Sequence, residues 1–73
     1  MDKNIFFNEL KDILELEDDI ITEKTEIHLT SLSTLSVMAF VYENFDIQVK
    51  TSDLHKIECV NDLICLVGIE NFV

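Results

Sequence analysis

Leu29-Thr30-Ser31-Leu32-Ser33-Thr34-Leu35-Ser36-Val37-Met38-Ala39-Phe40-Val41-Tyr42-Glu43-Asn44-Phe45 is the stretch whose reading decides the fold. Thr30 or Ser31 can cap the first free backbone N–H groups, and the apolar run from Leu32 to Phe45 then reads as one helix, closed by Asn44 to Ile47. Apolar residues point almost every way around it. Leu32, Leu35, Ala39 and Tyr42 fall on one side, and Val37, Met38, Val41 and Phe45 on another, so periodicity alone leaves open which side is core.

Working outward, Asn4 to Leu16 carries Phe6, Leu10, Ile13 and Leu14 at helical spacing and reads as a first helix. The run Glu17-Asp18-Asp19 breaks that pattern as a solvated corner. Ile20 to Glu26 reads as a loop whose Ile20, Ile21 and the following Ile27 are expected to enter the core, since each forfeits about 1.5–3 kcal/mol if left in water. On the other side, Ile47-Gln48-Val49-Lys50 alternates, but a lone four-residue strand is unstable, so an extended connection is expected. Thr51-Ser52-Asp53 caps a short helical turn bearing Leu54 and Ile57. Val60, Leu63, Ile64 and Val67 form the inward stripe of a last helix, begun by Asn61 or already by Cys59 and ended by Gly68. With no proline and one glycine, few breakers interrupt these segments. The expected fold is all-α: a small four-helix bundle of three longer helices and one short one, in a single domain over 1–73.

The chain has 73 residues, 48% of them hydrophobic with five Phe, a core supply that argues against disorder despite a net charge of -10. A domain this small buries only about 60% of the surface its unfolded chain exposes. Fifteen acidic against five basic residues exclude nucleic acid as a partner, because phosphate contact needs a cationic surface. They favour basic protein partners instead. No stretch approaches the roughly 20 apolar residues of a membrane span, and Met1-Asp2-Lys3-Asn4 lacks the order of a signal peptide, so a cytoplasmic address is expected. Cys59 and Cys65 are six positions apart in a helical stretch, which turns them to different faces; free, buried thiols are expected. His28 and His55 have no ligand-spaced partner, so no metal site is indicated and surface or structural roles are expected for both.

Leu29-Thr30-Ser31-Leu32, Leu35, Met38 and Val41, then Glu43-Asn44-Phe45-Asp46-Ile47-Gln48-Val49, Thr51-Ser52-Asp53-Leu54 and Ile57 to Leu63 together resemble the acyl carrier protein family. In that family a serine in an Asp-Ser-Leu motif opens the second helix, an aromatic near its end precedes an Ile-x-Ile or Ile-x-Val step, and a short third helix follows. Ser31-Leu32, Phe45 and Ile47-Gln48-Val49 stand at those places. Thr30 stands where the family usually has Asp, and the region of His28 where it usually has glycine.

The resemblance implies an acyl carrier protein in a fatty-acid or secondary-metabolite pathway. A phosphopantetheinyl transferase moves 4′-phosphopantetheine from coenzyme A onto Ser31, and acyl- or aminoacyl-loading and acyl-transferring enzymes then use the arm's thiol. A helix N-terminus suits the anionic phosphodiester. The family comparison also places Thr34, Val37, Met38, Val41 and Phe45 inward, leaving Leu32, Leu35, Ser36, Ala39, Tyr42 and Glu43 as an outward partner-binding face beside Ser31. Most carriers are strongly acidic there; here Glu43 alone is charged, so apolar contact with a dedicated partner is expected. The family state is a monomer. The alternative function is a carrier-like helical interaction module without the cofactor. No nucleophile, base and orienting group assemble into an enzyme.

Overall fold

A computed structural model describes residues 1–17 and 19–72. Among them the chain forms four helices: α1 (Lys3–Leu14), α2 (Ser31–Phe45), α3 (Thr51–Leu54) and α4 (Val60–Val67), followed by a 3-10 turn at Ile69–Asn71. The architecture is all-α, with three longer helices, one short helix and no strand among the described residues. No helix among them is long and apolar enough to cross a membrane.

Asp2 starts α1 by accepting from the Asn4 N–H at 2.7 Å. Glu15 ends it two residues before the expected Leu16, because its left-handed backbone (φ 51°) stops the helical ladder. Phe6 and Leu10, one turn apart, are buried, while Ile13 and Leu14 are half-buried. Phe6 centres an aromatic cluster, its ring 4.9 Å from that of Phe72, 5.7 Å from Phe40 and 6.2 Å from Phe45. The edge-to-face arrangements with Phe72 and Phe45 are those favoured by the ring quadrupoles.

In the loop after α1, Ile21 and Ile27 join the core as expected, but Ile20 does not: it is 77% exposed. Ile20 sits in the bend at 19–20, which leaves it facing solvent, and the chain turns inward only from Ile21. Asp18 of the acidic run lies outside the described residues; Glu17 and Asp19 are exposed. The Lys3 ammonium meets the Glu23 carboxylate at 2.9 Å and ties α1 to this loop.

The loop also organises the start of α4. Ile27 donates its N–H to the Glu58 carbonyl at 2.9 Å, Val60 donates to the Thr25 carbonyl at 2.9 Å, and Asn61 donates to the Glu23 carbonyl at 2.8 Å. Glu26 and Cys59 thereby form an isolated antiparallel bridge. Cys59, not Asn61, is the cap residue of α4. Asp62 completes the start: one carboxylate oxygen accepts from the N–H groups of Glu58 (3.0 Å) and Cys59 (3.2 Å). These two bonds favour the charged form and hold its pKa below the ordinary carboxylate value, against a smaller opposing desolvation.

Val60, Leu63, Ile64 and Val67 form the buried stripe of α4 as expected. Gly68, with φ 109°, ends the helix and lets the chain turn so that Phe72 reaches Phe6 and Phe45. The expectation of two buried thiols is corrected. Cys65 is exposed and Cys59 half-buried, both free, because Cys65 follows the inward pair Leu63-Ile64 by a rotation that carries it off the stripe, and Cys59 lies at the helix edge. Ile47 to Lys50 is an extended connection with Val49 buried, and α3 anchors through buried Leu54 while Ile57 is half-buried.

Candidate functional site

Thr30 and Ser33 build the head of α2 by reciprocal capping. The Ser33 hydroxyl accepts from the Thr30 N–H at 2.8 Å, and the Thr30 hydroxyl accepts from the Ser33 N–H at 3.2 Å. Below them, the buried Thr34 hydroxyl donates to the Thr30 carbonyl at 2.7 Å. Thr30 therefore satisfies the third amide of the helix without a carboxylate. The N–H groups of Ser31 and Leu32 find no acceptor among the described residues, and neither does the exposed Ser31 hydroxyl find a partner.

The contrast with α4 is informative. There, the corresponding first two amides, of Val60 and Asn61, are taken by the carbonyls of Thr25 and Glu23. At α2 they are left open beside an exposed hydroxyl, at the end of a helix where backbone dipoles place partial positive charge.

Next to Ser31 lies a pocket of about 420 Å³, to which α2 and the residue before it contribute Thr30, Ser31, Thr34 and Leu35, and the α3 turn contributes Thr51 and His55. Thr51 and His55 are one helical turn apart, and the His55 N–H donates to the Thr51 carbonyl at 3.1 Å. Their pairing with Ser31 is not readable along the sequence. The one available signal is the four-residue spacing that puts both on one face of a short turn.

All seven expected site residues are at the surface: Ser31, Leu32, Leu35, Ser36, Ala39, Tyr42 and Glu43. Leu32, Leu35 and Tyr42 are 76%, 63% and 57% exposed. Of the residues expected inward, Thr34, Val37 and Val41 are buried, while Met38 and Phe45 are half-buried at the margin. Phe40 is buried too and was absent from that expectation. It packs on Phe6 and Phe45. The ambiguity of α2 is thus resolved: the core side runs through Thr34, Val37, Phe40 and Val41, and the Leu32-Leu35-Ala39-Tyr42 side faces solvent. His28 and His55 are both on the surface, His28 with its imidazole 3.9 Å from the Glu26 carboxylate.

Comparison of the chain with protein-family models, with curated proteins and with solved structures finds no match.

Proposed function

We propose that the chain is an acyl carrier protein whose Ser31 is the attachment point for 4′-phosphopantetheine. One observation carries the reading: an exposed, unengaged serine hydroxyl sits at the head of the second helix beside two open backbone amides. In the attachment step the Ser31 oxygen forms a bond to phosphorus as the pyrophosphate bond of coenzyme A breaks. The bisphosphorylated adenosine leaves, and the hydroxyl proton passes to the transferase. The residues fit the product. The open amides of Ser31 and Leu32 can donate to the phosphodiester oxygens, and Thr30 keeps the helix head ordered without adding a negative charge.

The bound arm supplies a thiol that carries acyl or aminoacyl groups as thioesters. The protein's own part is presentation. Leu32, Leu35, Ala39 and Tyr42 form an exposed apolar strip leading away from Ser31, with Glu43 at its far end. Singly exposed apolar residues are ordinary, but a row on one helix face fits a partner surface. Loading and transferring enzymes of a specialised biosynthetic pathway would meet the carrier there, largely through apolar contact.

A second reading has support of its own. Thr30 and Ser33 close the cap between themselves, so the head of α2 needs no cofactor to be stable, and the strip would serve equally in an unmodified interaction module. Incubation with coenzyme A and a broad-specificity phosphopantetheinyl transferase, followed by intact mass measurement, distinguishes the two. The carrier gains one phosphopantetheine on the wild type and none on Ser31→Ala. Absence of any gain on the wild type across several transferases defeats the carrier reading, and a gain that survives Ser31→Ala moves the site.

A further inference from the structure

The exposed strip on α2 is spaced as well as apolar. Leu32, Leu35, Ala39 and Tyr42 follow one another at intervals of three, four and three residues, the a and d positions of a heptad. That spacing makes a straight seam along the helix, and the occupant it selects is a second helix packed at a shallow angle with its side chains set between these. The seam is empty of its own chain: Leu32, Leu35 and Tyr42 all lie more than half exposed.

The seam is also complementary to itself when one copy is turned end for end. About a two-fold axis at the level of position 37, Leu35 of each copy faces Ala39 of the other, so a large side chain fills the space that a small one leaves, and Leu32 faces Tyr42 in the outer layers. Such pairing of the same patch on both copies is what a closed dimer requires.

Charge points to the same occupant. Each chain has a net charge of -10, so two copies can meet only on a face that carries almost none of it. Along the whole of α2 the one charged residue is Glu43, which has no ion-pair partner among the described residues. A basic partner would find little to hold on this seam. Turned end for end, a second copy brings the C-terminal end of its α2, with Glu43 and the exposed Asp46, beside the head of the first, where the amides of Ser31 and Leu32 are open and the helix dipole is positive.

We propose that α2 is a self-association face, on which two copies of the chain pack antiparallel along Leu32, Leu35, Ala39 and Tyr42 with Glu43 of each at the head of the other's α2. The inference concerns the chain before any cofactor is attached and is independent of the carrier reading. It replaces the monomer that the family resemblance implies. A seam of four side chains falls well short of the roughly 20–30 residues a side of a standard interface, so the dimer is weak and reversible. A partner enzyme that uses the strip displaces the second copy.

Sedimentation equilibrium of the unmodified full chain tests this, under reducing conditions so that the exposed Cys65 cannot cross-link. Wild type shows a monomer–dimer equilibrium below about 1 mM, where an association this weak still registers. Leu35→Lys and Ala39→Glu, both at exposed positions and both checked for folding by thermal melt, each weaken it at least about tenfold, because a charge enters the seam unpaired. An equimolar mixture of the two recovers dimer, since the antiparallel register sets Lys at 35 against Glu at 39. Glu43→Gln weakens association about threefold or more, although removing a carboxylate from so acidic a chain would by general repulsion tighten it; Glu9→Gln, on α1 and exposed, does not weaken it. A wild type that stays monomeric to about 1 mM overturns the inference and leaves the strip to a different protein. Dimers untouched by either seam variant, a mixture that stays monomeric, or a tighter Glu43→Gln dimer overturn it as well.

Discussion

Thr30 and Ser33 exchange hydrogen bonds across the first turn of α2, hydroxyl to amide in both directions, at 2.8 and 3.2 Å. Thr30→Ala removes the outer half of this pair and is expected to cost about 1 kcal/mol of stability, read from the urea midpoint. Thr30→Asp keeps a capping oxygen and adds negative charge at the positive end of the helix, so it is expected to be at least as stable as wild type. A loss on Thr30→Asp equal to that of Thr30→Ala would refute the capping role.

The two faces of α2 give a paired expectation. Tyr42 is exposed, so Tyr42→Glu should change stability by no more than about 0.5 kcal/mol, and under the proposed carrier function it should also alter loading by partner enzymes. Phe6, in contact with Phe40, Phe45 and Phe72, should lose about 3–5 kcal/mol on Phe6→Ala, a large part of what a domain this size has. Thermal melts check both. Unfolding of Tyr42→Glu would return the strip to the core.

Acid stability should depend on Asp62. Its folded pKa is lowered by the amides of Glu58 and Cys59, so its contribution is complete above the unfolded carboxylate value of about 3.9 and is lost as pH falls through the lower folded value. Asp62→Asn removes the titration, and the fall in urea midpoint below that pH should become shallower. An unchanged acid limb in the variant would assign acid sensitivity to other carboxylates.

Gly68 tests the end of α4. A Cβ there would lie 2.7 Å from the Glu70 carboxylate oxygen, at a backbone φ of 109°. The Glu70 side chain can move, but the backbone angle stays unfavourable for any L side chain, at a cost on the order of 1–3 kcal/mol. Gly68→Ala should therefore remain destabilised in a Gly68→Ala/Glu70→Ala double variant. Full recovery in the double variant would make the contact, not the angle, the cause.

Much of this molecule is legible in one dimension. The stripe of α4, the cap at Thr30 and the stop at Gly68 depend on residues within one turn of each other, and such local rules can be read from spacing. At α3 the expected cap is corrected, since Lys50 is the cap residue, Thr51 and Ser52 lie inside the helix, and only Asp53 contributes by accepting from the Lys50 N–H at 3.4 Å. Ile20 departs from its expected place because hydrophobicity alone cannot say which of two adjacent isoleucines turns inward. The bridge of Glu26 to Cys59 leaves no pattern, since a single pair has no periodicity. Its consequence, that α4 begins with its amides occupied while α2 begins with two open, belongs to chain segments far apart in sequence.

Ser31, its place at the start of a helix and its unusually apolar neighbours Leu32, Leu35, Ala39 and Tyr42 were determined by sequence alone, because capping and helical spacing are local. Tertiary structure decided the rest. Packing of Thr34, Val37, Phe40 and Val41 against the Phe6 cluster set the rotation of α2, which a helix apolar on all sides cannot specify for itself. Burial of Leu54 carried Thr51 and His55 to the edge of the Ser31 pocket, a juxtaposition that exists only once the core has closed.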